Sequence, residues 1–144
     1  MSARSFFDTN ILIYADDKST PAKQRRALEL VAAHRRAGTG VVSMQVLQEY
    51  FATVTSKLGV DARIARRKLE LLAEFDVAAP NVADVLAAID LHRLHGFSFW
   101  DCLVIRSAKQ SGCSILLTED LQQMREVDGV RIVNPFLDTS GIRG

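Results

Sequence analysis

Short apolar runs alternate with longer amphipathic stretches along this chain, and that alternation is its strongest constraint on fold. Arg4-Ser-Phe-Phe7, Gly40-Val-Val-Ser43, residues 76–79, Ile115-Leu-Leu117 and Val130-Arg-Ile-Val133 are short, apolar runs and read as strands. Between them lie segments of roughly 12–17 residues with helix punctuation. Thr20-Pro21 opens one that Gly38 closes. From Ser43, the residues Leu47, Tyr50, Phe51, Val54 and Leu58 recur at helical spacing until Gly59. Asp61 opens another through Phe75, with Ile64, Leu71, Leu72 and Phe75 on one side. Asn81 with Asp84 has the form of a capping box ahead of Val82, Val85, Leu86 and Ile89. A further helix runs from Ser98 towards Gly112, and Asp8-Thr9-Asn10 offers three candidate caps for a short helix over residues 11–15. Strands alternating with helices imply parallel βαβ units and a three-layer α/β domain.

With 144 residues, 48% of them hydrophobic and 24% charged, the chain suits one globular domain spanning residues 1–144 and excludes the disordered and low-complexity classes. No apolar run reaches the roughly 18–20 residues of a spanning helix, and no secretory signal is evident, so a cytoplasmic protein without membrane attachment is expected. Two cysteines, Cys102 and Cys113, make neither a disulfide framework nor a zinc cluster, and read as small core residues. Lys and Arg number 18 against 17 Asp and Glu, so the net charge of +1 announces no polyanionic partner. The basic residues nonetheless cluster. Lys23, Arg25, Arg26, Arg35 and Arg36 face only Glu29 within residues 22–37, and Arg63, Arg66, Arg67 and Lys68 follow later. Each cluster reads as a solvated helix face or as a source of phosphate contacts.

The acids are more informative than the bases. Asp8 ends the first strand, Glu49 sits two turns into the helix leaving the second, and Glu119-Asp120 follows the strand at 115–117. In an open parallel sheet, ligands bind beyond the carboxyl ends of the strands, so Asp8, Glu49 and Asp120 are expected at one rim. Asp101 has no strand directly before it, but helical phase places it between Val104 and Ile105, on the inward face. Glu49 lies about 60° from Val46, at the border of its helix's apolar arc. Neither acid is placed like an ordinary solvated charge. Carboxylates gathered in a partly buried cleft repel one another, and protons or a hard divalent cation must neutralise them. Mg²⁺ or Mn²⁺ prefers such oxygen ligands and suits phosphodiester hydrolysis. Taken singly, Asp8 and Asp120 also read as helix caps, and Ser98 with Asp101 as a capping box.

Four segments carry a family resemblance: Phe7-Asp-Thr-Asn10, Ser43-Met-Gln-Val-Leu-Gln-Glu-Tyr50, Phe99-Trp-Asp-Cys-Leu-Val104 and Leu116-Leu-Thr-Glu-Asp-Leu121. In this order and spacing the chain resembles PIN domains of the VapC type, the toxins of bacterial toxin–antitoxin pairs, along its whole length. The resemblance implies a metal-dependent endoribonuclease with a five-stranded, mainly parallel sheet. It also implies a homodimer, RNA as substrate and inhibition by a cognate VapB-type antitoxin. Asp8, Glu49, Asp101 and Asp120 match the family's acidic quartet that holds Mg²⁺ or Mn²⁺. Thr118 matches its small hydroxyl residue, and Asn10 the polar partner after the first acid. The chain departs from the family after Leu121, where Gln-Gln-Met-Arg-Glu-Val replaces the frequent Gln-His-Gly, and at Cys102, where Ala is common.

His92 and His95, spaced i, i+3, have no third ligand nearby and read as structural. Trp100 reads as a buried aromatic, with stacking on a nucleic-acid base as the functional alternative. Neither a Gly-rich phosphate loop nor a serine-hydrolase elbow is present. Two rival functions stay in view: an acidic-pocket phosphoacceptor or phosphatase, and a non-catalytic partner-binding module. A receiver-like phosphoacceptor would carry paired acids after its first strand and a Lys after its last. Here Asp8 stands alone and Asn134-Pro135 follows the last strand.

Overall fold

The computed structural model describes residues 3–121 and 125–137. In chain order the elements are β1 (Ser5–Phe7), α1 (Thr9–Tyr14), α2 (Pro21–Ala37), β2 (Gly40–Ser43), α3 (Met44–Ser56) and α4 (Ala62–Leu72). They continue as β3 (Asp76–Ala78), α5 (Val82–His95), α6 (Phe99–Gln110), β4 (Ile115–Leu117), β5 (Glu126–Val127) and β6 (Val130–Val133). The strands form one sheet in the order β3-β2-β1-β4-β6-β5. Every pairing is parallel except β5 with β6. Among the described residues no helix is long and apolar enough to cross a membrane.

The sheet has six strands, where the family resemblance implies five. The added strand follows from local turn chemistry. Asp128 and Gly129 both take positive φ (53° and 83°), the conformation of a two-residue hairpin whose twist matches its flanking strands. Asp-Gly is a favoured pair there, so Val127 folds back onto Val130.

β1 lies between β2 and β4, and Ser5, Phe6 and Phe7 are buried throughout. A strand covered on both faces reads as a continuous apolar run, as this one does. Phe6, Val41, Val42, Leu116 and Ile132 centre the core, with Ile11, Val46, Tyr50 and Ile105 packed from the helices. Helices α1 to α4 pack on one another, and α5 packs on α6. The Phe75 ring closes over Gly40, where an added Cβ would stand 2.6 Å from it.

The helix punctuation works largely as the sequence indicates. Ser43, Asp61 and Ser98 cap α3, α4 and α6 with their side chains. Asn81 and Asp84 form a reciprocal capping box, and Gly38 and Gly96 close α2 and α5 in the left-handed conformation. Thr20 precedes Pro21 but makes no side-chain cap; its hydroxyl donates to Asp17 O at 3.3 Å.

α5 presents a different face from the one its apolar spacing suggests. Val82 (74% exposed), Leu86 (57%) and Ile89 point outward, while Asp84, Ala88 and Leu91 are buried. Asp84 is turned inward because it serves two partners. It accepts from the Asn81 N–H at 2.9 Å and pairs with the Arg106 guanidinium of α6 at 2.9 Å. Ile64 likewise points outward from α4, where Ala65 and Leu72 are buried instead.

Candidate active site

Asp8 leaves β1 while its N–H donates to Leu117 O at 3.0 Å, extending the β1–β4 ladder by one step. Its carboxylate then caps α1: Oδ1 accepts from Thr9 N–H at 2.8 Å and Oδ2 from the Thr118 hydroxyl at 2.8 Å. Of the three candidate caps, Asp8 therefore takes the role, and the helix begins at Thr9. The residue is only 8% exposed. Burial pushes its carboxyl up to about 6, against the opposing hydrogen bonds of Thr118 and Thr9; the charges of Asp120 and Asp101 push the same way as burial.

Thr118, fully buried one residue beyond β4, organises this end of the sheet. Its N–H donates to Val133 O at 3.0 Å, tying it to β6. Its hydroxyl donates to Asp8 and accepts from the Asp120 N–H at 3.1 Å and from Asn10 Nδ2 at 3.3 Å. Asn10 Oδ1 in turn accepts from the Glu119 N–H at 3.3 Å. Asn10 and Thr118 thus bind the turns after β1 and β4 to each other.

Asp101 lies in the first turn of α6, where its N–H donates to the Ser98 hydroxyl at 3.1 Å. It is half-buried, and burial raises its carboxyl above the usual range; Ser98 opposes the shift and Asp120 adds to it. The phase argument for an inward-facing Asp101 is thereby supported. Asp8, Asp101 and Asp120, up to 112 positions apart in the sequence, thus lie within one another's electrostatic reach.

Glu49 and Asp120 are more open than the sequence suggests: both are exposed. Glu49 accepts from Gln45 Nε2 at 2.6 Å and from the Thr9 hydroxyl at 3.4 Å. That second bond places it beside the residue following Asp8, at the margin of the rim. It is not among the charges that act on Asp8 or Asp101. Among the described residues, no three His, Cys, Asp or Glu side chains already surround a common point as metal ligands. The donor set around Asp8 is nonetheless all oxygen, mutually repulsive and partly desolvated, which fits a hard divalent cation better than a soft one.

Trp100 departs from its expected role, while the histidines and cysteines keep theirs. Trp100, expected to be buried, is 61% exposed and packs edge-on against Phe99. His92 and His95 have local roles: His92 Nδ1 bonds Phe97 O at 2.5 Å, and His95 stacks on Phe97. Cys102 and Cys113 are buried and free. Much of the basic clusters is paired, with Arg35 on Glu74 and Arg66 and Arg67 both on Glu70. Sequence reasoning missed two networks. In one, Asp16 accepts from the Tyr50 hydroxyl at 2.5 Å and pairs with Lys68. In the other, Lys23 and Tyr14 bind Glu119. The altered segment after Leu121 includes residues 122–124, which lie outside the described residues.

The fold has known counterparts. Residues 5–130 match the family model described as "PIN domain", and the chain belongs to that family. Its fold is that of VapC toxins. VapC20 of Mycobacterium tuberculosis, described as a sarcin-ricin loop cleaving toxin, superimposes with a TM-score of 0.65 at 18% identity, covering 81% of this chain and 89% of that one. A toxin–antitoxin complex from Klebsiella pneumoniae gives 0.66 at 17% identity, with 91% and 97% covered. VapBC2 of Rickettsia felis, bound to a DNA fragment from its promoter, gives 0.64 at 18%, with 89% and 96% covered. No curated protein matches the chain.

Proposed function

We propose that this protein is a divalent-metal-dependent endoribonuclease acting in the cytoplasm as the toxin of a toxin–antitoxin pair. One observation carries the reading: a buried carboxylate, Asp8, is held at the carboxyl end of the central strand with the charges of Asp101 and Asp120 directed at it. Folding retains this unfavourable grouping, and a cation relieves it. Asp8, Asp101 and Asp120 would hold Mg²⁺ or Mn²⁺, which supplies charge to a phosphoryl oxygen and acidifies water.

The chain's own residues do the rest. Thr118 and Thr9 occupy both oxygens of Asp8 and fix its orientation. Ser98 fixes the backbone of Asp101. Glu49, tethered by Gln45 and Thr9, stands at the open margin, placed to orient the attacking water or to hold a second ion. Purified protein is expected to cleave single-stranded RNA with Mg²⁺ or Mn²⁺ and to stop when EDTA is added. Cleavage that persists in EDTA, or no cleavage of any RNA in either metal, contradicts the reading.

The antitoxin partner is supported by the related toxin–antitoxin complexes. A homodimer is supported by the outward apolar row Val82, Leu86 and Ile89 on α5, at helical spacing on one face. Leu86→Glu is expected to convert a dimer to a monomer in light scattering; a mass unchanged from the wild type would contradict that interface.

A further inference from the structure

Asp120 differs from the other acids in how it is held. Asp8 is gripped through both carboxylate oxygens, whereas the carboxylate of Asp120 accepts no hydrogen bond from the described residues. Its side chain is exposed and faces the like charges of Asp8 and Asp101. Repulsion drives it away from them, so its position depends on how firmly the turn after β4 is anchored.

That anchor lies one residue earlier. Glu119 turns its carboxylate away from the acids, towards α1 and α2. Oε1 accepts from the Tyr14 hydroxyl at 2.6 Å, and Oε2 pairs with Lys23 Nζ at 2.5 Å. Lys23 is itself steadied: Nζ lies 3.4 Å from the Tyr14 hydroxyl, 4.7 Å from the centre of the Tyr14 ring and 5.5 Å from that of Phe136. The Tyr14 and Phe136 rings meet edge-on at 5.0 Å. Tyr14 lies one helical turn beyond Asn10, which accepts from the Glu119 N–H. The same edge of α1 therefore holds both the backbone and the side chain of Glu119. Lys23 also neutralises a fifth carboxylate that would otherwise add to the repulsion at the rim.

We propose that Lys23, Tyr14 and Glu119 form a clamp of positioning residues that sets Asp120 against Asp8 and Asp101 and so tunes divalent-cation affinity. The inference rests on the nuclease reading above. None of the three residues needs to touch the cation or the substrate.

The test measures Mn²⁺ binding by the full-length protein, with free Mn²⁺ read by electron paramagnetic resonance, and thermal unfolding in EDTA as a separate readout. Residues that act on a metal through its ligands typically change affinity by about 10–100-fold, and a clamp working through one backbone turn is expected to give about 3–10-fold. Lys23→Met and Glu119→Gln should each weaken Mn²⁺ binding by about that factor, and Lys23→Arg should restore most of it. The Lys23→Met/Glu119→Gln double variant should bind no worse than the weaker single, because both break one clamp. Tyr14→Phe, which removes a single oxygen, gives a smaller loss in the same direction and keeps the test available should Lys23→Met fold poorly. Variants that bind Mn²⁺ like the wild type, or whose losses add in the double, overturn the clamp. A wild-type protein that binds no Mn²⁺ overturns the proposed function and the clamp with it. Wild-type binding with unaffected variants removes the clamp alone.

Discussion

Asp8→Asn and Asp101→Asn are each expected to slow RNA cleavage by at least about 100-fold, beyond what loss of a residue merely supporting a metal ligand costs. The substitution is nearly isosteric, so the fold survives and the charge is what disappears. At position 8 the retained oxygen still accepts from Thr9, while the new amide meets the Thr118 hydroxyl, whose two lone pairs already accept from Asp120 and Asn10, so one hydrogen bond is disturbed. Single-turnover cleavage at saturating Mg²⁺ separates lost chemistry from weakened binding. Near-normal rates in both variants would remove the acidic rim from the reaction. Glu49→Gln is expected to cost less, because Glu49 is exposed and outside the charges acting on Asp8.

The second large effect is on stability, and it runs the opposite way. Asp8 titrates near 6 in the native protein and from 3.8 when unfolded, so between these values the native state binds the proton more tightly. Above about pH 6 the buried carboxylate is charged and lowers stability. The penalty fades as the pH falls through 6 and is gone below 3.8. A difference of about two pKa units corresponds to about 3 kcal/mol, of which a disturbed hydrogen bond in the variant offsets about 1. In EDTA, Asp8→Asn is therefore expected to exceed the wild type in stability by about 2 kcal/mol at pH 8, with the gap closing towards pH 4. Urea unfolding of both proteins across that range reads the difference directly, since contributions from groups beyond the reach of the Asp8 charge cancel. A variant less stable than the wild type by the same amount at every pH would show that Asp8 is held by packing alone. Saturating Mn²⁺ should reverse the order, because only the wild type gains the linkage stabilisation of a bound ion.

Local signals carried much of the fold. Ser43, Asp61, the Asn81–Asp84 pair and Ser98 all cap the helices their positions suggest, because a cap is decided within one helical turn. The parallel sheet followed from element alternation, and the inward face of Asp101 from helical phase. The β5–β6 hairpin was also legible, in Asp128-Gly129, but a two-residue strand is too short to show alternation. Which face of α5 turns inward was not legible. Val82, Leu86 and Ile89 present the more apolar stripe, yet Asp84 is drawn in by Arg106, 22 positions away. Trp100 is exposed for a related reason: being apolar and beside Asp101 does not fix its direction, since successive helical side chains diverge by about 100°. The Lys23–Glu119 pair spans 96 positions, and no sequence pattern marks it. Lys23 sits in a basic run that reads as solvated until the fold brings the turn after β4 within reach of α2.

The central claim is that carboxylates distant in sequence share a divalent cation, and calorimetric titration of Mn²⁺ into chelator-treated protein tests it most directly. The wild type is expected to show saturable binding that vanishes in Asp8→Asn and in Asp101→Asn, both still folded. Equal binding by the wild type and both variants, or no binding by any of them, would contradict it.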